Sequence, residues 1–245
     1  MRNNSSLKRA AREALKGNWA QAVLAVVVYA LIYSVFLGPS AVKTAEASSL
    51  YQNAALYSSS PMDTFNTLAG IGRWNSLFSL ASIFLLVPLS AGICNAFRLL
   101  LEKGDGSLTR NMFTITFRGY FHKVWGMFLM GLFIGLWSLL FLIPGIVKSF
   151  SYAMTPYILD EHPELSAYEA IQRSRKMMRG HKFDLFYLYL TFIGWFILCL
   201  LTAGIGFLWL IPYVETTQAA FYRDLKAEFG EGFDAEINAA AGRWG

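Results

Sequence analysis

Residues 124–143 read VWGMFLMGLFIGLWSLLFLI, an uncharged run that ends at Pro144-Gly145. A helix needs about 20 consecutive, mainly apolar residues to cross a hydrocarbon core about 30 Å thick. The run therefore predicts a membrane span, and similar segments lie on either side of it. Trp19–Gly38 precedes it, as does Trp74 to about Leu101, which is interrupted by Pro88. Ile146 to about Leu159, carrying Pro156, then Leu185–Ala203, and Ile205 to about Leu225 follow it. A proline inside a span is tolerated when neighbouring helices satisfy the carbonyl it frees. Ile146–Leu159 is short, so local thinning or a re-entrant path would have to accommodate it.

Composition agrees with this reading. Of 245 residues, 55% are hydrophobic and 15% charged, against roughly 45–50% and about 25% in soluble domains. The net charge of +5 with 16% aromatic residues would raise nucleic-acid binding in a soluble protein. Here the basic residues sit between apolar runs and no nucleic-acid motif is present, so the partner they predict is the lipid bilayer.

Their distribution sets the topology, because Lys and Arg in short flanks favour the cytoplasmic side. Arg2, Lys8, Arg9, Arg12 and Lys16 precede the first span. Arg98, Lys103, Arg110, Arg118 and Lys123 lie between the second and third, and Arg173, Arg175, Lys176, Arg179 and Lys182 between the fourth and fifth. The alternate connections hold only Lys43 and Arg73, then Lys148, then none. Six spans with both termini in the cytoplasm satisfy every segment. The Ser-rich stretch 39–73 is then an extracytoplasmic loop. Ala45-Glu46-Ala47 resembles a signal-cleavage site, but the first apolar run is longer than a usual signal core and ends well before it, so a retained anchor is expected.

Each basic segment has the form of an amphipathic helix lying in the interface and closed by a glycine: Gly17, Gly119 and Gly180. Ser166 and Glu169 form the Ser-x-x-Glu capping signature, and Ala167, Ala170, Ile171, Ser174 and Met178 follow on one stripe. Leu7, Ala11, Ala14 and Leu15 form the equivalent stripe near the N-terminus, opposite Lys8, Arg12 and Lys16. The spans echo one another as well. Phe133-Ile134-Gly135 precedes Gly145-Ile146 as Phe192-Ile193-Gly194 precedes Gly204-Ile205, and Pro88 precedes Phe97 as Pro212 precedes Phe221. The expected fold is an all-α polytopic bundle, one integral membrane domain over 1–245. In it three units, 1–101, 102–160 and 161–245, each contribute an interfacial helix and a membrane hairpin. Chance similarity among apolar segments is the competing explanation of the repeat.

Gly17-Asn18-Trp19, Ile143-Pro144-Gly145-Ile146, Ser151-Tyr152, Pro156-Tyr157, Gly180-His181-Lys182 and Pro212-Tyr213 occur in this order. Together they make the chain resemble a widespread bacterial family of integral membrane proteins of unknown function. The chain is more distantly similar to the membrane domain attached to some glycerophosphodiester phosphodiesterases. The resemblance implies a multi-pass protein of the bacterial inner membrane, an embedding module without an assigned activity.

Within the expected sixth span, Glu215 is followed by Thr216, Thr217 and Gln218 and preceded by Pro212-Tyr213. A carboxylate inside a membrane costs several kcal/mol and is by default a functional hypothesis. The alternatives are a polar site on a solute pathway and a helix-to-helix tie, the latter made by a protonated or tyrosine-paired Glu215. Asp160, Glu161, His162 and Glu164 could in principle hold a metal but match no metal motif, so a solvated turn before Ser166 is expected. Lys16, Trp19, His122, Lys123, His181 and Lys182 are candidates for headgroup contact, and Trp19, Trp74, Trp125 and Trp244 suit interfacial belts. Cys94 and Cys199 lie inside apolar runs, where packing is the ordinary role of a cysteine. No zinc-protease signature, nucleophile elbow, phosphate loop or dinucleotide fingerprint occurs, so neither enzymatic activity nor a cofactor is expected. Two functions follow. One is a module that packs with itself or organises other membrane components; the other is a small transporter or permease subunit built around Glu215.

Overall fold

The computed structural model describes residues 3–35 and 84–241, with side chains through 229. The 39–73 loop, Trp74 and Trp244 lie outside the described residues. Every regular element among those described is helical. In chain order these are α1 (Asn4–Leu15), α2 (Trp19–Val35), α3 (Phe84–Lys103), α4 (Leu108–Phe117), α5 (Tyr120–Leu140) and α6 (Leu142–Tyr152), then α7 (Thr155–Glu161), α8 (Ala167–Met177), α9 (Lys182–Leu190), α10 (Ile193–Leu201) and α11 (Phe207–Ala241). The chain divides into two units, one formed by Met1–Val27 with Pro88–Gly245 and the other by Val28–Val87. In the second, Tyr29 and Tyr33 stack at 6.0 Å on one helical face.

The larger unit is organised by its short amphipathic helices. On α8 the Ser166 hydroxyl accepts from the Glu169 amide at 3.3 Å and the Glu169 carboxylate accepts from the Ser166 amide at 2.9 Å. This reciprocal cap starts the helix where the sequence places it. Ala167, Ala170, Ile171 and Ser174 are buried beneath it, and Met178 just beyond its end is buried too. On α1 the buried residues are Leu7, Ala11 and Leu15. Gly17, Gly119 and Gly180 all adopt the left-handed conformation, with φ of 86°, 63° and 91°. Glycine does so without the Cβ clash that penalises other residues, and each one releases a short helix into a longer, more apolar path.

Among the described residues three helical stretches are long and apolar enough to cross a membrane: Phe84–Lys103, Tyr120–Leu140 and Lys182–Leu201, the last made of α9 and α10. Counting α1 and α2, bent by 94°, as one broken span gives four. The expected fourth and sixth segments differ from simple spans. Ile146–Leu159 divides between α6 and α7, with Pro156 in the first turn of α7, a position where a missing amide donor costs nothing. The sixth lies inside the 35-residue α11, where Glu215, Arg223 and Asp224 interrupt the apolar pattern.

Two tight turns join consecutive helices. A Cβ on Gly145 would lie 2.8 Å from the Ser138 Cα, and one on Gly206 would lie 3.1 Å from the Cys199 Cα. At Gly145 the backbone returns too closely for any Cβ, and at Gly206 a Cβ would crowd Cys199,. Around these turns α5 packs on α6, α7 and α8, and α11 packs on α1, α10 and α8. The core includes Tyr157, Ile158 and Leu159 of α7 and Ala219, Ala220, Phe221 and Tyr222 of α11.

Candidate functional site

α7 is short, but both of its terminal carboxylates turn inward. Arg98 reaches them from α3, where its side chain is only 7% exposed. Nη2 meets Asp160 Oδ2 at 2.9 Å and Nη1 meets Glu161 Oε1 at 2.7 Å. Nη1 also meets Glu102 Oε2 at 3.0 Å, and Nε donates to Asn95 Oδ1 at 2.9 Å. Asn95 in turn donates to the carbonyls of Ala91 and Pro156 at 3.0 and 2.9 Å. Lys123 of α5 places Nζ 2.7 Å from Asp160 Oδ1 and donates to the Ile115 carbonyl at 2.5 Å. Glu161 Oε2 accepts from the Tyr222 hydroxyl at 2.7 Å and from Lys226 at 2.9 Å. Tyr222 stacks on Tyr157, with ring centroids 4.8 Å apart.

Three cations, Arg98, Lys123 and Lys226, thus meet three carboxylates, Glu102, Asp160 and Glu161, and the cluster is formally neutral. The planar guanidinium fork supplies several donors at fixed angles, which is why arginine suits a buried multi-carboxylate contact. Burial on its own would raise the Glu161 carboxyl above the ordinary range. The Arg98 charge, with the donors from Lys226 and Tyr222, reverses this and holds it below that range. The cluster ties α3, α5, α7 and α11 together.

This arrangement corrects the expectation of a solvated turn at Asp160-Glu161, whose side chains are 10% and 12% exposed. It also leaves their oxygens bonded to protein donors, and no metal-holding group of His, Cys, Asp or Glu occurs among the described residues. His162 and Glu164 pair separately at 2.9 Å. Lys123, expected at the headgroup interface, is instead buried beside Asp160 because that carboxylate sits under the start of α5. Of the other headgroup candidates, Lys16 is exposed and Trp19 lines a groove described below. His122 keeps Nε2 buried without a hydrogen-bond partner among the described residues. His181 lies 3.3 Å from Asp184 and 3.2 Å from Glu228, next to the half-buried Lys182.

The Glu215 region is a second polar cluster. Thr216 and Thr217 turn their hydroxyls back onto the carbonyls of Pro212 and Tyr213 at 2.7 and 2.6 Å. Gln218 accepts from the Tyr189 hydroxyl at 2.7 Å. The Tyr189 hydroxyl is thus taken by Gln218 and not by Glu215, and the Cys94 thiol of α3 lies near the Glu215 carboxyl. Oε2 of Glu215 and the hydroxyl of Tyr157 are buried, and no described residue gives either a hydrogen bond. The Cys94 contact is invisible in the sequence, where a cysteine in an apolar run carries no sign of its partner.

No curated protein and no solved structure gives a match to this chain. The distant likeness to the phosphodiesterase membrane domain therefore rests on the motifs quoted above alone. Residues 139–228, from the end of α5 into α11, match the family described as Protein of unknown function (DUF975).

Proposed function

We propose that this chain is a non-enzymatic integral membrane module that packs with itself or organises other membrane components, embedded in a bacterial inner membrane with both termini cytoplasmic. The observation that supports it is how the interior polar groups are used. The Arg98 cluster is neutral and bonded internally, while Thr216, Thr217 and Gln218 bond to backbone or to Tyr189. The Arg98 cluster and the Gln218–Tyr189 bond lock helices to one another, the threonine hydroxyls are taken up within α11, and little is left for a permeating solute to bind,.

Membrane embedding is supported by exposed apolar residues. Leu139, Leu140, Phe141, Leu142 and Ile143 are 86%, 67%, 68%, 72% and 75% exposed around the α5–α6 turn, a patch that water would not tolerate uncovered. Six spans in three hairpins, each led by an interfacial helix, remain the arrangement most consistent with the basic flanks. The three left-handed glycines at equivalent points support the repeat.

The test is reconstitution of the purified protein into liposomes, with parallel isolation from native membranes under mild detergent. The proposal expects self-association or stable partners. A lone monomer that moves a solute would overturn it. The second reading, a transporter or permease subunit, is favoured by Glu215 Oε2, buried without a hydrogen-bond partner among the described residues. If it holds, Glu215→Gln would abolish coupled transport and leave folding intact.

A further inference from the structure

Consecutive helices α10 and α11 present two matching stripes to one groove of about 650 Å³. Trp195, Leu198 and Cys199 on α10 with Thr202 at its C-cap, and Trp209, Leu210 and Tyr213 on α11 with Gly206 just before its start, each follow the i, i+3, i+4, i+7 spacing of a single helical face,. The helices run in opposite directions along it. Phe192 meets the Tyr213 ring at 5.3 Å at one end, and Gly206 presses on Cys199 towards the other. At 1.5 Å per residue, the stripe from Trp195 to Thr202 is about 10 Å long,.

The Phe192 end is basic. Lys8 of α1 donates to the Thr191 carbonyl at 3.2 Å and lies 4.1 Å above the Phe192 ring. Arg12, one turn along α1, lines the same groove. Neither side chain has a carboxylate partner among the described residues. Burial, and next the neighbouring Arg12 charge, make protonation of Lys8 harder than usual, as expected of two cations placed together without an anion. The groove is therefore amphiphilic along its length, with an uncompensated basic pair at one end and aromatic and aliphatic walls beyond it.

We propose that this groove seats an anionic phospholipid, with its phosphate on Lys8 and Arg12 and an acyl chain between the Trp195–Thr202 and Gly206–Tyr213 stripes. Charge complementarity selects an anionic headgroup, and the apolar walls distinguish a lipid from a free anion. The inference rests on the membrane reading above and names one component the module would organise.

The experiment is native mass spectrometry of the full chain in detergent, titrated with phosphatidylglycerol, phosphatidylcholine or inorganic phosphate. One phosphatidylglycerol should bind at least tenfold more tightly than phosphatidylcholine, and phosphate should not compete at equal concentration. Lys8→Gln with Arg12→Gln should abolish that preference. Arg12→Gln alone breaks no side-chain hydrogen bond or ion pair among the described residues and should weaken the preference severalfold in a folded protein. Replacing Arg173 and Lys176 on α8 with Gln should leave it unchanged. An unchanged preference in both Arg12 variants would overturn the site, as would full competition by phosphate. Carbonate washing of vesicles separates the two claims. Release of the protein would refute membrane embedding, whereas retention without a lipid preference would refute only the groove.

Discussion

Replacing Arg98 with Met removes the one cation that touches all three carboxylates of the buried cluster. Two cations would then face three anions. Removing one partner of a buried ion pair costs about 3–5 kcal/mol, because the remaining charge is left uncompensated. The lower end applies here. Asp160 keeps Lys123, Glu161 keeps Tyr222 and Lys226, and Glu102 retains partial solvent access with a side chain 25% exposed. At about 2–4 °C per kcal/mol for a chain of this size, a loss of about 3 kcal/mol lowers Tm by about 6–12 °C. Tryptophan fluorescence of the purified protein in detergent would follow the transition. Arg98→Lys keeps the charge but loses the fork, and should cost about 1–3 kcal/mol through acceptors left unpaired. Adding Glu161→Gln to Arg98→Met restores neutrality, so the double variant should be less damaged than the sum of the singles by about 0.5–3 kcal/mol. Additive singles, or an Arg98→Met cost below about 1 kcal/mol as for exposed pairs, would refute the reasoning.

Acidification should act through the same cluster. With its folded pKa below the unfolded one, Glu161 contributes stability that is fully present above the usual glutamate value of about 4.3 and is lost as pH falls through the lowered one,. Glu161→Gln should flatten the acid limb of a Tm-versus-pH curve and lower its plateau. Ser166→Ala removes the cap of α8 and should cost about 1 kcal/mol. The Glu169 carboxyl, held low by the Ser166 hydroxyl and then by its amide, should titrate closer to the ordinary range in an NMR titration of that variant. Gly180→Ala meets no atom within 4 Å of the new Cβ, so its cost is that of the left-handed backbone alone, about 1–2 kcal/mol, measurable by denaturant midpoint.

Local features were legible in the sequence because their physics is local. The Ser166–Glu169 cap depends on residues three apart, and Gly17, Gly119 and Gly180 stand where apolar stripes stop. The Glu215 site was singled out by its charge within an apolar run, but its neighbour Cys94 was not, and the Arg98 cluster escaped altogether, because these partners are distant in the chain. Arg98 and Glu161 are 63 residues apart, and a basic residue flanking an apolar run serves topology equally well whether it faces water or a buried carboxylate. Asp160-Glu161-His162-Glu164 has the composition of a turn, and only the short α7 decides that its first two carboxylates point inward. Lys8 lies 183 residues from Thr191, so the groove had no sequence signal beyond two stripes that also read as lipid-facing surface. The DUF975 match covers Glu161, Glu215 and Tyr222 but not Cys94, Arg98 or Lys123, so each polar cluster joins the matched region to residues before it.

The central claim is that the polar interior is closed and serves helix packing. Thiol labelling of Glu215→Cys, with Cys94→Ala and Cys199→Ala and an impermeant reagent applied from each side, tests it most directly. The account predicts no labelling from either side while a Glu164→Cys control, at a side chain 41% exposed, reacts from one. Labelling at position 215 in a folded protein would reveal a water-filled path and contradict the account in favour of transport.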